Sequence, residues 1–258
     1  MLYQQRKYLY FLLEASNQHG VHSPFIYQLV TQCFYKKIHK NLWKTFLNSR
    51  KYLEDNSEKK KTTDLGSRSK IFKSNTHQVS KIAKVAGITN EKANLLIKTI
   101  NYLKPKQILE IGTAMSLGTS AIKTENDAVS ILTLEECPET SKVLQKLFDK
   151  NNFKAIEIIN GNFSKTLSMN TQNKQFDCII FDRNHTKKAT LKYFEECLKT
   201  VHNNSFFIFD AIYWTPEMQE VWAIIKKHSK VTVTVDVFYL GIVFFRKEQA
   251  KEHFKIRA

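Results

Sequence analysis

Only four cysteines occur in 258 residues, and no two of them stand in a CxxC spacing. That excludes a zinc knuckle and argues against a disulfide framework; Cys33, Cys137, Cys178 and Cys197 read as reduced packing thiols, with Cys178 inside an apolar run expected to be a buried strand. No internal repeat is visible. The opening MLYQQRKYLYFLLEAS has a short apolar centre and no small-residue cleavage site, so it reads neither as a signal peptide nor as a membrane span. Its apolar residues recur at helical spacing, as in an amphipathic helix packed on a domain. A dinucleotide fingerprint, G-x-G-x-x-G, is also missing.

Charge of one sign is abundant: the formal net charge is +16 and the pI about 9.6. Nucleic acid, an anionic membrane or an acidic small substrate would each suit it. Lys and Asn are spread throughout, however, and no stripe of Arg interleaved with aromatics appears, so nucleic acid is not the favoured partner. The densest basic run, in EDNSEKKKTTDLGSRSK, reads as a solvated linker. With 42% hydrophobic residues the chain can bury one substantial core plus a small appendage, as in a cytoplasmic enzyme; a homodimer stays open.

Residues 107–120, QILEIGTAMSLGTS, carry the strongest pattern. A short apolar run ends in Glu110, glycines follow at 112 and 118, and a helix rich in Ser and Thr begins. Such a strand–turn–helix presents backbone N–H groups and a bare Cα surface to a nucleotide-like ligand. An acid just before the first glycine suits a ligand with an ammonium group, such as the methionine half of S-adenosylmethionine. Residues 130–135 end in Glu135, where a ribose hydroxyl pair would lie. Residues 155–161 lead to Asn162, an amide able to pair with an adenine edge. Residues 176–182 and 205–210 end in Asp182 and Asp210. Polar residues gathered at the carboxyl ends of successive strands mark the ligand edge of an open α/β sheet.

Elsewhere, residues 1–54 read as three helical stretches broken at 17–23 and near 39–41, with Ser23-Pro24 as a helix start. Residues 55–74 read as a linker or a lid. A helix over 76–86 and another over 90–103, capped by Thr89 or Asn90, precede Pro105. Residues 231–237 and 241–246 read as an antiparallel hairpin. The expected domains are an N-terminal helical extension with linker, 1–75, and a Rossmann-like domain, 76–258.

The pieces LEIGT with Gly118, LTLEECPE, INGNF, FDCIIFD and FIFDAIYW resemble class I S-adenosylmethionine-dependent methyltransferases of the catechol O-methyltransferase-like branch. HGVHSPF, RNHTKKATLKYFEECL, IYWTPEMQEVW and VDVFYLGIVFFRKEQAKEHF look like a bacterial subgroup of that fold. The resemblance implies an α/β, Rossmann-like methyltransferase sheet of about seven strands with the last antiparallel. It implies cofactor contacts at Glu110, Gly112, Thr113, Gly118, Ser120, Glu135, Asn162 and Asp182. It also implies a Mg²⁺ site at Asp182 and Asp210, with a catalytic base at His185 and Asp210 beside it. The third metal ligand falls on Ala211, which has no oxygen to offer, so metal dependence is not expected. Two further departures are the six-residue glycine spacing and Arg183 where a small residue is expected.

His19 and His22 have no companion ligands nearby, and their loop is expected to dock the N-terminal helices or line the acceptor pocket. Tyr213, Trp214 and Trp222 are expected in the core or the pocket wall, Trp214 with the best claim to substrate. The function expected is O-methylation of a small molecule. Its alternatives are an RNA methyltransferase using the basic surface and a non-catalytic member of the fold.

Overall fold

The computed structural model describes residues 2–61, 76–113, 115, 117–123, 128–182 and 186–258. Three helices lead: α1 (Leu2–Glu14), α2 (Pro24–Leu29), which runs on into a π turn at Val30–Phe34, and α3 (Lys40–Glu54). Ser23 starts α2 as expected, its Oγ accepting from Ile26 N at 3.5 Å with Pro24 at the first helical position.

Next, β1 (Lys59–Lys61) pairs antiparallel with β2 (Thr76–Gln78), Lys60 opposite His77. Two expectations change here. The basic run is a strand, and the helix expected from residue 76 begins only at α4 (Val79–Ala86). A three-residue strand is too short to show a period, so hydrophobic patterning gives no sign of it. The rest of the expected linker, 62–74, lies outside the described residues. In α5 (Asn90–Leu103) the cap is Thr89, whose Oγ1 accepts from Lys92 N at 3.4 Å.

Strands and helices then alternate: β3 (Gln107–Ile111), α6 (Leu117–Lys123), β4 (Ser130–Glu135), α7 (Pro138–Lys150), β5 (Ile156–Asn160), α8 (Phe163–Thr171), β6 (Cys178–Phe181), α9 (Lys187–Cys197), β7 (Phe206–Asp210) and α10 (Pro216–Lys227). The chain closes with β8 (Val233–Asp236), β9 (Leu240–Phe244) and β10 (Glu252–Lys255). Among the described residues the main sheet has eight strands in the order β10-β8-β9-β7-β6-β3-β4-β5, and β9 alone runs antiparallel to its neighbours. The expected hairpin of β8 and β9 is present. The additional strand is β10, parallel to β8, so the last strand of the chain is not the antiparallel one. Its sequence, EHFK, is polar and half exposed at the sheet edge, and carries no apolar run.

Strand residues alternate between two cores, because successive side chains point to opposite faces. Ile108, Ile131, Cys178, Ile180, Phe206 and Ile208 pack with α2, α3 and α5, while Leu109, Leu132, Ile179, Phe181, Phe207 and Phe209 pack with α8, α9 and α10. Burial on both faces explains why the strands read as unbroken apolar runs. The sheet leaves β3 in both directions, through β4 and β5 on one side and β6 and β7 on the other. A crevice opens at such a reversal, outside the carboxyl ends of the strands. No helix among the described residues is long and apolar enough to cross a membrane.

Candidate active site

β3 hands over to α6 through Gly112, at φ 79°, a conformation that glycine adopts without a Cβ clash. Gly112 N still donates to Leu134 O at 3.0 Å, which ties the turn to the end of β4. Met115 is buried at φ 76°, which costs a residue with a Cβ on the order of 1 kcal/mol. Gly118 faces the strand: a Cβ there would stand 3.2 Å from Glu110 Oε1, so its absence lets α6 close down on β3.

Glu110 was expected to meet a ligand's ammonium. The structure sets it beneath the turn, 1% exposed, with Oε2 accepting from Thr119 Oγ1 at 2.5 Å and Thr133 Oγ1 at 2.9 Å. Burial pushes its carboxyl up to about 7; the two hydroxyls oppose that rise and the nearby Glu135 charge adds to it. Thr113 and Ser120 line the same turn, and neither Thr113 Oγ1 nor Ser120 Oγ, both buried, finds a hydrogen-bond partner among the described residues. Buried polar atoms without partners are rare in native proteins. Two of them, one after Gly112 and one in α6, leave hydrogen-bonding capacity open among the described residues.

Glu135 ends β4, buried, its Oε1 held by Cys137 N at 2.9 Å. Asn162 follows β5, but its amide is engaged at both ends: Oδ1 accepts from Ser164 N at 3.1 Å, capping α8, and Nδ2 donates to Glu136 Oε1 at 3.1 Å. It would have to give up such bonds to meet an adenine edge. Asp182 follows β6, half-buried, its N donating to Ile111 O at 3.2 Å, so it stands at the mouth of the β3 turn. His185 and Arg183 lie outside the described residues.

Asp210 ends β7, and Lys92 of α5 reaches it, Nζ on Oδ1, with both side chains largely buried (13% and 8% exposed). Sequence reasoning missed Lys92. The two residues are 118 apart in the chain, and a lysine in the first turn of a helix carries no local signal of a distant carboxylate. Ala211 follows at φ 59°, contributing no side-chain oxygen. These donors do not fit a divalent cation: Mg²⁺ demands a near-octahedral shell of oxygens, and an ammonium already lies on the Asp210 carboxylate. Among the described residues no group of three His, Cys, Asp or Glu stands close enough to hold a metal ion.

Beside this pair lies a cavity of about 290 Å³, lined by Lys84, Lys92, Ala211, Tyr213, Trp214, Phe238 and Tyr239, with Gln4 of α1 at its rim. Trp214 therefore forms pocket wall, as expected. Tyr213 also stacks on Phe238 at 4.8 Å and donates to Asp236 Oδ2 at 2.5 Å. Burial, followed by the Asp236 charge, raises the Tyr213 hydroxyl well above its usual range. Trp222 belongs to the core, packed on Phe209 and over Gly241. His19 is exposed and pairs with Gln18 at 3.0 Å, while Val21 and Ser23 of the same segment are buried, so HGVHSPF serves to dock α2.

The chain matches the family described as O-methyltransferase over residues 67–239, well over half its length. No curated protein matches it in sequence. Many solved structures resemble it in fold, three of them as follows. The SAH-bound methyltransferase PaMTH1 of Podospora anserina has TM-score 0.58 at 16% identity, covering 88% of this chain and 98% of its own. The O-methyltransferase of Bacillus cereus in complex with SAH gives 0.53 at 16%, covering 85% and 97%. TomG of Streptomyces achromogenes, an O-methyltransferase in complex with SAM, gives 0.55 at 13%, covering 90% and 99%.

Proposed function

The chain belongs to the O-methyltransferase family, and from that membership we propose that it moves a methyl group from S-adenosylmethionine to an oxygen of a small-molecule acceptor. The observation that carries the cofactor half is the pair of buried hydroxyls, Thr113 Oγ1 just after Gly112 and Ser120 Oγ in α6, that have no hydrogen-bond partner among the described residues. S-adenosylmethionine bound there would supply an electrophilic methyl on a sulfonium. Glu135, already anchored by Cys137 N, accepts from the ribose hydroxyls. Gly112 gives close backbone approach, and Thr113 and Ser120 complete their hydrogen bonds on the ligand. Glu110 lies beneath the turn, where the positive charge of a bound ligand would favour the carboxylate form that burial alone disfavours. Asn162 and Asp182 flank the crevice from the adjoining strand ends.

Methyl transfer is an in-line displacement, so the protein's main contribution is to hold the acceptor oxygen in line and keep water out. The aromatic cavity beside Ala211 does both. His185, three residues beyond Asp182, is assigned the role of base that takes the acceptor's proton. No disulfide joins the four cysteines, all of them buried, which suits a cytoplasmic protein. Calorimetry with S-adenosylhomocysteine tests the reading: saturable one-site binding is expected, and no binding at all would overturn it.

A further inference from the structure

The acceptor cavity has a cation built into its wall. Lys92 lines it, with Nζ on Asp210 Oδ1, and Ala211 lies next to the carboxylate. The position after Asp210 takes φ 59°, a left-handed conformation in which asparagine is the best tolerated residue after glycine, yet alanine occupies it and withholds an amide oxygen. Ammonium and carboxylate are both largely buried, and a buried charge persists only with a partner. A divalent ion at this carboxylate would have to displace Lys92 into an apolar, aromatic cavity. An ammonium and a metal also differ in what they hold. A metal with two adjacent open positions chelates both oxygens of a vicinal diol. An ammonium is a point charge with three donors, of which Asp210 takes one.

We propose that Lys92 replaces the divalent metal in the acceptor site and holds a single acceptor oxygen by a charge-assisted hydrogen bond, so that the acceptor class is a lone phenolic hydroxyl rather than a chelating catechol. Tyr213, Trp214, Phe238 and Tyr239 supply flat apolar walls for the ring that bears that oxygen. Asp210 is the positioning residue: it fixes the ammonium and does not itself meet the acceptor. The proposal rests on the methyltransferase reading, so S-adenosylhomocysteine binding is measured first and separately; its failure refutes that reading and not the assignment of Lys92.

The probes are Mn²⁺, 4-nitrophenolate and 4-nitrocatechol, applied to the full chain loaded with S-adenosylhomocysteine. Wild-type protein should leave free Mn²⁺ undepleted in its magnetic resonance spectrum. It should shift the absorbance of 4-nitrophenolate on binding, unchanged by chelator, and 4-nitrocatechol should bind within about threefold of it, with or without Mn²⁺. Lys92→Met should weaken 4-nitrophenolate about tenfold or more, the loss of one bond to a charged donor, and Lys92→Arg should recover part of that loss. Because Lys92→Met strands a buried carboxylate, the double variant Lys92→Met/Asp210→Asn, with both charges removed, should fold and show the same loss. The proposal is overturned by saturable Mn²⁺ binding that Asp210→Asn abolishes, by 4-nitrocatechol affinity that rises with Mn²⁺, by variants that bind 4-nitrophenolate as wild type does, or by wild type that does not bind it.

Discussion

Glu135→Ala is the sharpest test of where the cofactor lies. The carboxylate ends β4 with Oε1 fixed by Cys137 N at 2.9 Å, so its rotamer is set before any ligand arrives. Two ribose hydroxyls on such a carboxylate would form two charge-assisted bonds, each contributing about 1.5–3 kcal/mol when one partner is charged. Ordering losses and water that enters the vacated space offset part of that, leaving about 2–4 kcal/mol, a rise in Kd of roughly 30- to 1000-fold. Calorimetry with S-adenosylhomocysteine reads this directly and needs no acceptor. One complication is calculable: Cys137 is the N-cap of α7, so the alanine also removes an acceptor from its backbone N–H, costing about 1 kcal/mol of fold stability. Glu135→Gln keeps an oxygen for that N–H and loses only the charge, so it should fall between wild type and alanine in affinity with a near-native melting temperature. A Kd for Glu135→Ala within about threefold of wild type would place the ribose elsewhere, with Glu136 the next candidate.

Glu110 enters folding at an unperturbed 4.5 and titrates at about 7 when buried, so its charged form is the one the fold disfavours. Stability from this group is intact below pH 4.5 and is lost as pH rises to about 7, by about 3 kcal/mol in full; Glu110→Gln should flatten that slope in urea unfolding, and an unchanged slope refutes the assignment. His185→Ala should lower turnover roughly 10²–10⁴-fold with cofactor affinity unmoved, and near-normal turnover would leave the enzyme working by proximity alone. Treatment with EDTA should leave most activity intact, whereas complete loss restored by Mg²⁺ would show that Asp182 and Asp210 suffice as ligands with water. Tyr213→Phe removes the hydroxyl that Asp236, itself raised by burial, accepts at 2.5 Å, and should cost about 1–3 kcal/mol in chemical unfolding, a value near zero meaning that water replaces it.

The central strands β3, β4, β6 and β7 were legible because they are buried on both faces, which forces unbroken apolar runs that end where the polar edge begins; β4 spans residues 130–135 as the pattern predicts. Strand β10 was not, because an edge strand can be polar and β10 is held by parallel pairing to β8 rather than by burial of its side chains. Local chemistry was half legible. The spacing from Glu110 to Gly112 and Gly118 marks a ligand turn, and the turn is there. What the spacing cannot tell is that α6 closes so tightly that Glu110 faces Gly118 and the two threonine hydroxyls instead of the turn's surface. Asn162 shows the same limit, since an Asn after a strand serves equally to cap the next helix, and here it does so.

The two halves of the site also differ in how the chain encodes them. The residues proposed for the cofactor side lie within a few positions of a strand end, and parallel pairing brings those ends together in register, Glu110 beside Thr133 and Ile111 beside Phe181. Their place is settled once the strands are. The cavity proposed for the acceptor is assembled from remote segments: Gln4 from α1, Lys84 from α4, Lys92 from α5, Ala211 and Trp214 after β7, and Phe238 and Tyr239 from the turn between β8 and β9. Helix α1 reaches the cavity because Tyr3 Oη donates to Gln219 Oε1 and Tyr8 packs edge-on against Phe238 at 4.7 Å. The far end of α1 is tied to the last residues of the chain, with Arg257 Nη2 donating to Leu12 O at 2.6 Å and Ser16 bridging to Ile256. Ser16 N also donates to Lys255 O at 2.9 Å, so strand β10, the element least visible in the sequence, helps to hold the far end of that helix. On the proposed reading, changes along α1 or β10 reshape acceptor choice while the turn at Gly112 stays as it is, which makes the acceptor the property a single sequence reveals last.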